Sequence, residues 1–257
     1  MEIQKQSDFL KYLDNEEIQL FNIENLKKSL GYNGRALNEI VENLIRIGFL
    51  FRLERGKYSR STFRDENAIG TFLAVDSAVA YWSALHLHGL TEQFPNTVFV
   101  QTTKKKNAVS ILGINYQFVK INPKKRAGIT YNGYGNYKFP ITDIEKTIVD
   151  CFDLPQYSGG YAELIRAFCQ ANLNVEKLIK YCNSVNNVAS IKRMGFLAEL
   201  FKKDYLFDFI HFSKTKINRT YNLFDPFGKT GGEPNSEWYL RLNLSKENIL
   251  EISRNLY

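Results

Sequence analysis

The sequence predicts an α+β protein in two parts. A small N-terminal helix-turn-helix carries a hairpin behind it, and a larger mixed α/β part holds a mainly antiparallel sheet. Three observations predict this. Apolar residues recur at helical spacing over residues 7–47. Two short alternating runs flank Arg55-Gly56 directly afterwards. From Asp76 onward, helical stripes interleave with β-rich runs.

The elements follow in order. "SDFLKYLDN" sets Phe9, Leu10 and Leu13 on one side of a helix. In "FNIENLKKSLGYN", Asn22 caps a short helix, Ile23, Leu26 and Leu30 fall at helical spacing, and Gly31 ends it. In "NGRALNEIVENLIRIG", Asn33 is the expected cap and Gly48 the stop. Leu37, Ile40, Val41, Leu44 and Ile47 make its apolar stripe. Two short helices joined by about three residues read as a helix-turn-helix. Arg35, Asn38 and Asn43 lie off the stripe, and the first two sit near the helix start, where a recognition helix meets base edges. Arg pairs with guanine and Asn with adenine through two hydrogen bonds.

The next stretch, "FLFRLERGKYSRS", alternates Phe49, Phe51 and Leu53 against Arg52 and turns at Arg55-Gly56, where Gly accepts positive φ. A hairpin directly after a recognition helix is a wing. Arg52, Arg55, Lys57 and Arg60 would then face phosphates or the minor groove. This requires Glu39 and Glu42 to point away from the duplex. The polar stretch 61–70 reads as a linker, which places the parts at 1–64 and 65–257.

In the larger part, Asp76 caps a helix that Gly89 ends, and 96–102 and 114–121 read as strands. Residues 128–141 read as a hairpin turning near Asn132-Gly133 or Gly135-Asn136. Thr142 and Glu145 suggest a capping box before the stripe Ile144, Ile148, Val149 and Phe152. Three more amphipathic helices reach residue 201, and 217–245 reads as two extended pieces around a Gly-Pro loop.

Charge sharpens the picture. The net charge is +7, but residues 1–42 carry five Lys/Arg against eight Asp/Glu. Residues 43–64 carry six against one, and residues 101–126 carry seven against none. The second cluster holds Lys104, Lys105, Lys106, Lys124, Lys125 and Arg126, at strand ends or in loops of one sheet. Clustered cations gain affinity for nucleic acid by releasing condensed counterions, although charge runs are more often simply solvated. The second surface therefore has two readings: an extended DNA footprint, or a contact to an RNA or nucleotide. The polar N-terminus is unlike a secretory signal, no run of eighteen apolar residues occurs, and three cysteines do not suggest a disulfide framework. These features predict a cytoplasmic protein.

Enzyme signatures are weak. Gly228-Lys229-Thr230 is the tail of a phosphate loop, but Leu223 stands where the upstream glycine belongs. No Gly-Ser precedes an Asp-x-Asp pair, and no Gly-x-Ser-x-Gly occurs. Asp143, Glu145, Asp150 and Asp153 read as capping and a solvated face. His86 and His88 point about 200° apart on a helix and cannot chelate one metal. The expectation is a non-enzyme without metal or cofactor.

The order of several segments resembles the AbiEi family, the antitoxin half of AbiE-type (type IV, abortive-infection) toxin–antitoxin systems. These segments are "GFLFRLERGKYSR", "SALHLHGLTEQFPNTVFVQTTKKK", "ITDIEKTIVDCFDLPQYSGGYAELIRAF" and "SEWYLRLN". The resemblance implies a winged helix that represses its own promoter at inverted repeats in double-stranded DNA. It also implies a C-terminal antitoxin domain that counteracts a nucleotidyltransferase-type toxin without a stable complex, in phage defence. Two other readings stay open: direct docking onto the toxin, and covalent modification of it.

Overall fold

The structure is a computed structural model that describes residues 6–31 and 35–254. The first part runs α1 (Gln6–Asn15), β1 (Leu20–Asn22), α2 (Ile23–Leu30), α3 (Arg35–Arg46), β2 (Leu50–Glu54) and β3 (Lys57–Arg60). Asn22 caps α2, its side chain accepting from the Glu24 and Asn25 amides at 3.0 and 3.1 Å. Gly31 closes the helix at φ 65°. Asn33 lies outside the described residues. The stripe Leu37, Ile40, Val41 and Leu44 packs against Phe9, Leu13, Phe21, Leu26 and Leu50. Ile47 does not join it and is 56% exposed, because α3 ends at Arg46 and the chain turns at Gly48.

β2 and β3 form an antiparallel hairpin with Gly56 at φ 78° in its turn, and β1 adds to β3. Of the alternating set Phe49, Phe51 and Leu53, the last two share an inward face, while Phe49 lies before β2. Leu50 enters the small core, whereas Phe49 is exposed. A register shift interrupts the pairing with β3 between Arg52 and Glu54. Leu53 joins a second core with Phe63, Ile69 and Phe139, and Phe51, two residues earlier on the same face, packs against it. Two cores claim the hairpin, so one period-2 face cannot describe it.

The rest runs α4 (Glu66–Leu73), β4 (Ala78–Val79), α5 (Tyr81–Leu87), β5 (Thr97–Thr102), β6 (Val109–Ile111), β7 (Ile114–Lys120), β8 (Ile129–Asn132) and β9 (Phe139–Thr142). Then come α6 (Ile144–Asp153), α7 (Tyr161–Gln170), α8 (Val175–Val185), α9 (Val188–Leu200) and α10 (Phe207–Lys216). The chain closes with β10 (Asn222–Leu223), β11 (Glu233–Asn235), β12 (Leu240–Leu242) and α11 (Lys246–Arg254). The main sheet has the order β6-β7-β5-β4-β9-β8. Pairs β6/β7, β4/β5 and β8/β9 are antiparallel, while β5/β7 and β4/β9 are parallel. The fold is therefore α+β with a mainly antiparallel sheet. One apolar cluster packs α4 and the hairpin against the sheet, and a larger one gathers the helices from α6 onward.

Three local expectations are corrected. The polar stretch 61–70 is not a free linker: Phe63 is buried, and Asp65 caps α4 by accepting from the Ala68 amide at 2.7 Å. Asp76 sits in a turn at φ 49° instead of capping a helix, because Ala78 and Val79 are drawn into the sheet and α5 starts only at Tyr81. The cap of α6 is Asp143, which accepts from the Lys146 amide at 2.9 Å. Thr142 instead pairs with the Thr147 hydroxyl at 2.7 Å, and Glu145 accepts from the Asn174 amide at 2.8 Å. The C-terminal extended segment forms three short strands, ordered β10-β12-β11.

Candidate nucleic-acid interface

The start of α2, the exposed side of α3 and the hairpin enclose an open groove of about 980 Å³. Asn38 and Glu42 line it from α3, Arg52, Arg55 and Tyr58 from the hairpin, and Glu24 from α2. Arg55 is exposed at the hairpin tip, where only the positive φ of Gly56 lets the chain turn so tightly. The Arg52 guanidinium lies 5.8 Å over the Tyr58 ring and donates to the Glu42 carboxylate. Glu42 thus faces the groove, contrary to what duplex binding requires of it, and its charge is met by Arg52. Glu24 is likewise met by Lys27 at 3.0 Å. Arg35 is exposed on the first turn of α3, three residues before Asn38 and hence on the same side. Asn43 is half-buried and accepts from Arg46 on its own helix.

The other two hairpin cations turn elsewhere. Lys57 Nζ donates to the Leu73 carbonyl at 2.7 Å, lies 3.0 Å from Glu54 and stands over the Phe72 ring. Arg60 pairs with Asp14 at 2.9 Å. Neither lines the groove, because the second core beneath the hairpin pulls Lys57 toward α4 and α1 lies beside Arg60.

The second basic set divides in the same way. β5 and β7 run parallel with Thr102 opposite Lys120, so the loops carrying both triplets leave one end of the sheet. Asp76 ties those loops: its carboxylate accepts from Thr103 at 3.2 Å and its carbonyl from Arg126 Nε at 3.2 Å. Lys104, Lys105, Lys124 and Arg126 are exposed. Lys106 is committed to Glu54 at 2.5 Å, and Lys125 to Asp153 at 2.6 Å. Burial pushes the Glu54 carboxyl up, but hydrogen bonds from Lys106 and Lys57 outweigh it and hold the group below the usual carboxylate range. Glu54 therefore anchors the hairpin to the sheet, a role that no local pattern in the sequence announces.

The carboxylates of α6 make no open site. Asp150 and Lys146 form a fully enclosed pair, and burial pushes the Asp150 carboxyl up to about 6 despite its partner. His88 Nε2 lies 2.7 Å from the Thr142 carbonyl, and the His86 ring packs on Phe94. Among the described residues, no group of three or more His, Cys, Asp or Glu side chains could hold a metal. All three cysteines are free; Cys151 and Cys182 are buried. No helix of the described residues is long and apolar enough to cross a membrane.

The arrangement defines an α+β protein in which a helix-and-hairpin groove is fused to a six-stranded mixed sheet. A protein of the same fold is Rv2827c from Mycobacterium tuberculosis, whose crystal structure superposes with a TM-score of 0.63. The match covers 91% of this chain and 89% of that one at 14% identity, a likeness of fold alone. No family model and no curated protein matches the sequence.

Proposed function

We propose that the protein is a cytoplasmic autorepressor and antitoxin of an AbiE-type operon. Its first part acts as a winged helix reading inverted repeats in its own promoter, and its remainder counteracts a nucleotidyltransferase-type toxin. The groove carries the DNA reading. It places Asn38 of α3 beside Arg52 and Arg55 of the hairpin, an Asn for base edges and two Arg for phosphates. The antitoxin half rests on the resemblance of the order of sequence segments to the AbiEi family.

Fluorescence anisotropy with the promoter and with an unrelated duplex of equal length tests the first half. Arg55→Ala weakens binding to both duplexes alike and lowers the salt slope by about one phosphate contact. Arg35→Ala costs about 1–3 kcal/mol on the promoter alone and relaxes base preference. If both variants bind like the parent, the groove is not the DNA site. Growth rescue on co-expression with the product of the neighbouring reading frame tests the second half, and absence of rescue refutes it.

A further inference from the structure

Residues 93–142 contain eight Lys/Arg and no Asp/Glu over fifty consecutive positions. They supply five of the six strands of the main sheet, β5 to β9. Strand direction decides where their loops gather. β5 and β7 end together at Thr102 and Lys120. β4 starts beside Gln101, β9 runs parallel to β4, and β8 runs antiparallel to β9. The turn between β8 and β9 therefore lies at the same end of the sheet as Lys104, Lys105, Lys124 and Arg126. Neighbouring strands are about 4.8 Å apart, so the edge from β7 to β8 spans roughly 19 Å.

The β8–β9 hairpin carries three tyrosines. Tyr131 is 63% exposed, Tyr134 80% and Tyr137 42%. Tyr137 stacks on the buried Phe63 ring at 5.0 Å with planes 27° apart, and Tyr134 follows at 5.9 Å from Tyr137. A ladder of rings thus leads from the core into solvent. Lys138 Nζ stands 5.0 Å from the Tyr131 ring centre. The turn is closed tightly: a Cβ on Gly133 would come within 2.2 Å of the Tyr137 carbonyl oxygen. The rings are therefore presented by a built hairpin.

Exposed aromatic rings beside cations, without a carboxylate in the segment, fit one ligand chemistry well. Unpaired bases stack on the free ring faces while phosphates meet the cations. A duplex keeps its bases stacked inside and would offer the rings only its backbone. We infer that this end of the sheet binds single-stranded nucleic acid, with Tyr131 and Tyr134 stacking on bases and Lys104, Lys105, Lys124 and Arg126 holding phosphates. The site shares no residue with the groove between α3 and the hairpin and does not depend on the promoter reading.

Anisotropy of the full chain with labelled oligouridylate, oligodeoxythymidylate and a duplex of the same length tests this. The protein should bind both single strands, and tighter binding of oligouridylate would mark RNA as the source. Tyr131→Ala with Tyr134→Ala should weaken single-strand binding roughly tenfold or more while leaving duplex binding and the melting temperature unchanged. The corresponding Phe pair should retain binding, since stacking needs the ring and not the hydroxyl. Arg55→Ala should lose duplex affinity and keep single-strand affinity. Absence of single-strand binding by the parent, or equal affinity in the Ala pair, overturns the inference.

Discussion

Glu42 sets how much of Arg52's positive charge is left free in the groove. The pair is half exposed, so each partner is screened and the bond is worth about 0.2–1 kcal/mol. Its larger effect is to place a negative charge inside the groove that the proposed duplex would occupy. Glu42→Gln should therefore tighten duplex binding about two- to fivefold, read by anisotropy at low salt. A weaker complex would mean that Arg52 needs Glu42 to hold its place. Lys146 and Asp150 present the opposite case, a pair with no solvent at all. Removing one partner strands a buried charge, so Asp150→Leu should cost about 3–5 kcal/mol in urea unfolding. Lys146→Met together with Asp150→Leu should recover most of that loss, since neither charge then needs compensation. The parent has a pH signature as well. The Asp150 pKa is raised from 3.8 to about 6, so this carboxyl stabilises the fold at low pH and loses that contribution as pH rises through about 6.

The hairpin β2–β3 is the element on which both halves of the molecule depend. Its tip was legible, because Arg55-Gly56 between short β-rich runs needs only local turn chemistry. Its inner side was not. Lys57 and Lys106 read as two more exposed cations, yet both converge on Glu54, Lys57 from three residues along the hairpin and Lys106 from a loop far along the chain. Glu54 has a lowered pKa, so its contribution is present above pH 4.5 and is lost as pH falls below that value. Hydrogen exchange should show the hairpin amides losing protection in that acid range. In Glu54→Gln the hairpin should be less protected at neutral pH and should lack this acid step. An acid step that persists in the variant would assign it to another carboxylate.

At the scale of the whole molecule, a cut at residue 64 does not fall between independent cores. Leu53 and Phe63 are buried with Val79, Val100 and Phe139, so a fragment of residues 65–257 loses two apolar side chains from beneath the sheet. Each contributes roughly 1.5–3 kcal/mol on burial, and the fragment should melt well below the full chain by circular dichroism. An unchanged melting temperature would show that the larger part is self-sufficient.

By itself the sequence determined the α+β class, the helix caps at Asn22 and Gly31, the apolar stripe of α3, the hairpin tip and the location of both basic clusters. Each depends on neighbours within a turn or two, so propensity, spacing and capping chemistry suffice. Only the tertiary structure decided which cations stay free. Lys57, Arg60, Lys106 and Lys125 found acceptors far along the chain, while Arg35, Arg55, Lys104, Lys105, Lys124 and Arg126 kept their faces to solvent. It also decided that the tyrosine turn and both triplets share one end of the sheet, because strand direction and order are set by long-range pairing that no local pattern records.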